Sequence, residues 1–322
     1  MSAAKIKDVG VIGLGIIGSR VAACLRRKNF NVFVWNRTAR PVPAFVSSPH
    51  EIAEVSQVIQ IFVRDAEALL EVMADMKPAL KKHHVVCCHS TVNAESVKKA
   101  AAMAEEMGAG FLDAPFTGSK MAAEKGELVY YIGGSERELE KVTPVLEASS
   151  KKILRFGPKV GDATVLKIVT NLVSGAIVGS LAEALAITRE HGVEPARLLE
   201  AFEGNANCSP LVTMKLPAMM TGEYEPHFSL KNMLKDARYA QELARAKELV
   251  TPVLDAATKV METSVMMGHA DRDYSVVFEN FDTGKDPSAE GRIRVRIGKS
   301  NAPETLRTSA FGAGGEQTTT AK

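Results

Sequence analysis

Apolar positions follow two rhythms along this chain. Up to about residue 157, short apolar runs alternate with longer amphipathic ones. KDVGVIG (7–13), NVFVW (31–35), VIQIFV (58–63), VVCC (85–88), GFLDA (110–114), LVYYIGG (128–134) and KKILRFG (151–157) predict strands. IIGSRVAACLRRK (16–28) predicts a helix with one apolar face and a basic end, and helical spacing recurs over 65–76 and 94–107. This βαβ rhythm predicts a largely parallel sheet covered by helices. Past Gly157 the pattern changes. Residues 163–191 are apolar nearly all round and stop at Gly192. Such a helix is buried on most sides, between domains or at a subunit contact. Helical runs follow at 195–203, 210–220, 229–249 and 252–267, with no strand signal before about residue 276.

Composition narrows the classes. The 322 residues suffice for two domains with real cores, and 46% hydrophobic with 24% charged residues is ordinary for a soluble globular chain. A formal net charge of +2 gives no electrostatic reason to expect nucleic acid or an anionic membrane as partner. Lys167, Asn171, Glu183 and Arg189 interrupt the long apolar helix, which reads as internal rather than membrane-spanning. The N-terminus lacks the apolar core of a signal peptide, so a cytoplasmic location is expected. Cys24, Cys87, Cys88 and Cys208 fit no metal spacing and read as reduced thiols, with no metal expected. Past Phe281 the chain turns rich in Gly, Ser, Thr and charge, which predicts a disordered tail over 283–322. RIRVRIGK within it reads as solvated rather than as a basic contact site.

GLGIIG (13–18) follows a predicted strand and opens a predicted helix, the context in which a glycine turn binds a dinucleotide. Gly13 permits the tight turn, Gly15 lets backbone approach a pyrophosphate, and Gly18 lets helix and strand pack closely. Leu14, Ile16 and Ile17 complete the turn at a helix N-terminus, whose free N–H groups attract phosphate. The second strand ends in Asn36-Arg37-Thr38 rather than Asp or Glu. No carboxylate there repels a 2′-phosphate, and a guanidinium can bind one, so NADP(H) is expected over NAD(H). The predicted fold is an α/β Rossmann-like N-terminal domain (1–160), a long interdomain helix (161–192) and an all-α C-terminal domain (193–282).

DAPFTGSKMAAEKGEL (113–128) follows a predicted strand, and Thr117, Gly118 and Ser119 offer hydroxyl and amide donors suited to a carboxylate. Lys167 lies in an apolar stretch, DATVLKIVTNLV (162–173), with Asn171 four residues on and so on the same helix face. A buried lysine needs a partner or a role. It could snorkel to water or pair with Asp162 or Glu183; it could also protonate an oxygen that receives a hydride at carbon. GLGIIG, WNRT, HSTV (89–92), DAPFTGS, GDATVLKIVTN and FSLKNMLKDARYA (228–240) occur in that order. The series, spanning about residues 7–281, resembles the β-hydroxyacid dehydrogenase family, which includes 3-hydroxyisobutyrate and 6-phosphogluconate dehydrogenases.

The resemblance implies a Rossmann-like domain joined by a long helix to a helical domain. It implies Thr91 near the nicotinamide and Thr117, Gly118 and Ser119 on the substrate carboxylate. It implies Lys167 as proton donor, Asn171 as its companion, and Lys235 with Asp236 closing the site. The chain departs from the family pattern in a short proline-bearing segment at 39–51, in Phe116-Thr117 for Val-Ser, and in Ser119-Lys120 for a glycine pair. The GSK turn with A-E-x-G-x-L looks like the glyoxylate and succinic semialdehyde reductase branch, and Lys120 suits an acidic substrate. The expected activity is NADPH-dependent reduction of such an aldehyde acid by a homodimer or homotetramer. Alternatives are oxidation of 3-hydroxyisobutyrate or a related β-hydroxyacid, and a non-catalytic NADP-binding protein. Imine reductases share the architecture but usually lack the lysine.

Overall fold

The computed structural model describes residues 6–282; the tail reading and RIRVRIGK fall outside them. In chain order the first part is β1 (Asp8–Ile12), α1 (Gly18–Arg27), β2 (Asn31–Trp35), α2 (Pro49–Val55), β3 (Val58–Ile61), α3 (Ala66–Met76), β4 (Val85–Cys88), α4 (Ala94–Glu105) and β5 (Gly110–Asp113). It continues with β6 (Phe116–Thr117), α5 (Lys120–Lys125), β7 (Leu128–Gly134), α6 (Glu136–Leu146) and β8 (Ser150–Arg155). The strand order is β2-β1-β3-β4-β5-β7-β6, with β8 paired to β7. The first five strands are mutually parallel, while β7 runs antiparallel to β5 and β6.

The central strands are apolar on both faces, as a helix-covered parallel sheet requires. Val11, Val34, Cys87 and Leu112 pack with Leu25 and Val145 in one cluster. Ile12, Ile59, Val86 and Cys88 pack with Leu69, Met73 and Val97 in another. Cys87 and Cys88 thus point to opposite faces, as alternation on a strand dictates. Three short elements escape the hydrophobic pattern. In the proline-bearing segment α2 starts on local chemistry: the Ser48 hydroxyl accepts from the Glu51 amide at 3.1 Å, and the Glu51 carboxylate accepts from the Ser47 amide at 2.8 Å. In α5 the Ser119 hydroxyl caps the Ala122 amide at 3.4 Å. The two residues of β6 are too few for periodicity.

From Asp162 on, the described elements are helical: α7 (Asp162–Glu190), α8 (Pro195–Glu203), α9 (Pro210–Thr221), α10 (Leu230–Arg245), α11 (Pro252–Met266) and a 3-10 segment at Tyr274–Asn280. By length and composition α7 could cross a membrane. Here its Val178, Leu181 and Leu185 enter a core with Leu216 of α9, Leu234 of α10 and Met261 of α11. These contacts account for one face of α7; Val169, Val173 and Ile187 on the remainder are exposed, so the helix is not buried on most sides as its sequence predicts.

One buried carboxylate fastens α7 to the sheet. Asp113, at the end of β5, accepts from the Gly161 and Thr164 amides at 2.9 Å each and from the Thr164 hydroxyl at 2.6 Å. Gly161 offers the helix no side-chain cap, so a distant strand supplies the anion that the N-terminal amides need. Burial pushes the Asp113 pKa up to about 6, with the Thr164 and Gly161 donors pulling the other way. Asp113→Ala would strand these donors and lower unfolding stability by about 2–4 kcal/mol. A thermal melt should show a loss of several degrees; an unchanged midpoint would remove the cap from this account.

Candidate active site

Strands β2 and β3 flank β1, so the chain leaves the sheet in opposite directions there and opens a crevice at the strand ends. The 13–18 turn closes one side. Gly13 has φ +95°, and a Cβ on it would lie 2.2 Å from the Phe62 carbonyl oxygen. A Cβ on Gly15 would meet no protein atom within 4 Å, so the backbone there faces open space. The amides of Gly15, Ile16 and Ile17 have no partner among the described residues. Free amides at a helix start beside open space form an anion cradle. Gly15, Ile16, Ile17, Thr91 and Lys235 line one cavity with Phe62 and Arg64.

Other residues of the nucleotide motif serve differently. Gly13 and Leu14 are buried beneath the turn. The Asn36 side chain accepts from the Leu14 amide at 3.0 Å and donates to the Thr38 carbonyl at 2.8 Å, so it shapes the turn. Arg37 and Thr38 are exposed at the end of β2, outside the cavity lining. Arg37 is near enough to Asp65 to help lower its pKa, after the larger effect of the Ala68 amide.

A second cavity adjoins the first and shares Thr91, Phe116 and Gly118 with it. Thr117 and Ser119 line it from the sheet side, Lys167 and Asn171 from α7. Lys120 lies outside this lining, because it begins α5. Asp162 and Glu183 are exposed and do not pair with Lys167. Instead Lys167 Nζ donates to Asn171 Oδ1 at 2.9 Å, and Asn171 Nδ2 donates to Asp236 Oδ2 at 2.7 Å. Asp236 Oδ1 accepts from Lys235 Nζ at 2.8 Å, and Lys235 also donates to the Thr91 carbonyl. The Lys235 ammonium stands 4.8 Å from the Tyr239 ring centroid. Burial lowers the Lys167 pKa to about 8; Asp236 opposes the shift and Lys235 adds to it.

Several lining residues lie inside or beside the sequence motifs without having drawn a functional expectation. Phe62, Phe116, His227 and Phe228 form apolar and aromatic walls. Ser90 accepts from the Val63 amide at 2.8 Å and so joins the loops after β3 and β4. His89 is fully buried against Phe62, with Nδ1 2.7 Å from the Ala114 carbonyl. Desolvation lowers its pKa to about 3, so it is neutral and Nδ1 carries the proton. Lys215 and Tyr274 also line the second cavity. Lys215 carried the same signal as Lys167, a charge inside an apolar helix.

A family model described as the NAD binding domain of 6-phosphogluconate dehydrogenase matches residues 8–157. A second, described as NAD-binding of NADP-dependent 3-hydroxyisobutyrate dehydrogenase, matches residues 161–280. The chain is 30% identical to the chloroplastic glyoxylate/succinic semialdehyde reductase 2 of Arabidopsis thaliana, over 88% of this chain and 81% of that protein. The chain belongs to the β-hydroxyacid dehydrogenase family. Glyoxylate/succinic semialdehyde reductase 1 of the same plant is 29% identical over 84% of this chain and 97% of its own. The Mycobacterium tuberculosis 3-hydroxyisobutyrate dehydrogenase structure with L-serine shares the fold: TM-score 0.77, 23% identity, 85% of this chain and 98% of that one.

As a member of this family the chain is an NAD(P)-dependent oxidoreductase acting on CH–OH groups. The glycine cradle fits the dinucleotide, whose place would be along Gly15–Ile17 toward Thr91 and Lys235. Two alanine substitutions should part company here. Gly13→Ala would clash with the Phe62 carbonyl and destabilise the fold by about 1–3 kcal/mol. Gly15→Ala should melt within about 1 °C of wild type, since it meets no protein atom, yet weaken NADPH binding about tenfold or more. Melting curves with fluorescence titration of NADPH check both.

Proposed function

We propose that this protein reduces a small aldehyde acid, of the succinic semialdehyde or glyoxylate type, with NADPH. The observation that carries the reading is a buried lysine with pKa about 8 in a cavity that also presents Thr117, Ser119 and Asn171. The two plant relatives named as glyoxylate/succinic semialdehyde reductases support the substrate class. When bound, the dinucleotide supplies the hydride. As charge grows on the carbonyl oxygen, the Lys167 ammonium stabilises it by hydrogen bonding and passes a proton from Nζ. Asn171, fixed by Asp236, keeps the ammonium in place and leaves its other protons for substrate. The Thr117–Ser119 loop receives the carboxylate with uncharged donors. Lys235 bridges Thr91 and Asp236 and so ties the two sides of the cleft together.

Arg37, with no carboxylate at the end of β2, supports NADPH over NADH. The reverse reaction, oxidation of 3-hydroxyisobutyrate or a related β-hydroxyacid, uses the same residues with Lys167 neutral at the start. The 3-hydroxyisobutyrate dehydrogenase family match over 161–280 supports that second reading.

Direction leaves a mark on the pH profile. Reduction needs protonated Lys167, so its kcat/KM, which follows the free enzyme, should fall about tenfold per pH unit above about 8. Oxidation needs the neutral amine and should rise through the same pH. Lys167→Ala should lose roughly 10²–10⁴ in kcat while still binding NADPH. If the mutant matches wild type with succinic semialdehyde and glyoxylate, the proton-donor assignment is wrong. Arg37→Ala should cut the preference for NADPH over NADH about tenfold or more, read as the ratio of the two dissociation constants.

A further inference from the structure

The second cavity holds another ammonium that the proton transfer does not use. Lys215, on α9, is only 3% exposed, although Val212, Leu216 and Met219 around it enter the helical core. Its Nζ donates to Asp273 Oδ1 at 2.7 Å and stands 4.5 Å from the Tyr274 ring centroid. An ammonium carries three N–H donors. One is taken by the carboxylate and one face is turned to the ring, leaving donor capacity with no partner among the described residues. The same side chain lines the cavity that Lys167 and Asn171 line from α7.

Asp273 does not spend its charge on Lys215 alone. It also accepts from the amides of His227 at 3.0 Å, Phe228 at 3.2 Å and Ser275 at 3.1 Å, and from the Ser275 hydroxyl at 2.8 Å. Those bonds hold the 227–228 segment to the 3-10 turn without Lys215. A buried pair kept for stability alone is often matched by apolar residues of similar size. A lysine retained at a cavity wall, with a partner already engaged by four other donors, suits a ligand anion better.

We infer that Lys215 is a specificity-determining residue: it holds the substrate carboxylate from the helical side, opposite the uncharged Thr117–Ser119 loop. The substrate class is therefore aldehydes with an acid group, selected over neutral aldehydes of the same length. The identity of the substrate rests on the reductase reading above; the anion site rests on the cavity.

The test compares kcat/KM for succinic semialdehyde and for butanal with NADPH, in wild type, Lys215→Met and Lys215→Arg. Calorimetry measures succinate binding to the NADP-loaded protein in parallel. The acid-to-neutral ratio should fall about 10- to 100-fold in Lys215→Met, mainly through KM, with partial recovery in Lys215→Arg and a matching loss of succinate affinity. Lys215→Gln, which can still donate to Asp273, replaces Met if that variant fails to fold. An unchanged ratio and unchanged succinate binding would overturn the inference and leave the reductase reading standing. If wild type reduces no aldehyde acid yet binds succinate through Lys215, the reductase reading falls and the anion site stands.

Discussion

A lysine buried among helices must be compensated, and here a chain of hydrogen bonds does it rather than a direct ion pair. Lys167 leans on Asn171, Asn171 on Asp236, and Asp236 on Lys235, which reaches the Thr91 carbonyl. One carboxylate thus answers two ammonium groups. The shortfall leaves the cleft net positive, the sign wanted by a phosphate, a carboxylate or a developing oxyanion. Burial brings the Lys167 pKa down to about 8, and Asp236, one amide removed, only partly opposes it. Without the amide between them, Asp236 would hold it charged more firmly and make it a poorer acid.

Around this chain, small polar residues hold the backbone in place, and two of them, Ser90 and Ser119, also line the cavities. Asn36 folds the glycine turn, Ser90 joins two loops, Ser119 caps α5, and Asp113 caps α7 from a different strand. Each satisfies backbone amides that would otherwise be stranded at the end of an element. The site therefore sits on regular elements whose ends are closed, which keeps Lys167, in the second turn of α7, at a fixed height above the sheet.

The central strands were legible because burial on both faces leaves continuous apolar runs, and the long helix because it is apolar nearly all round. Elements made by local chemistry were not: α2 hangs on Ser48 and Glu51, and β6 is two residues long. At the site, Lys167 stood out as a charge in an apolar helix, but its partner did not. Asp162 and Glu183 are near in sequence and turned outward, whereas Asp236 arrives by tertiary packing from α10. The same distance hid Asp113 as a helix cap. Asn36 and Ser119 were visible as motif positions, yet what they contact is backbone, and no spacing rule separates support from contact.

The contact between Lys235 and the Thr91 carbonyl joins the helical half to the loop after β4. Enclosure is also what weakens the hold of Lys167 on its proton. Shape and acidity are then one linked quantity. Whatever holds the cleft shut makes Lys167 a stronger acid, and by reciprocity whatever removes that proton favours the shut form. In an NAD(P)-dependent oxidoreductase built this way, the enclosure of the cleft and the acidity of its lysine cannot be tuned apart.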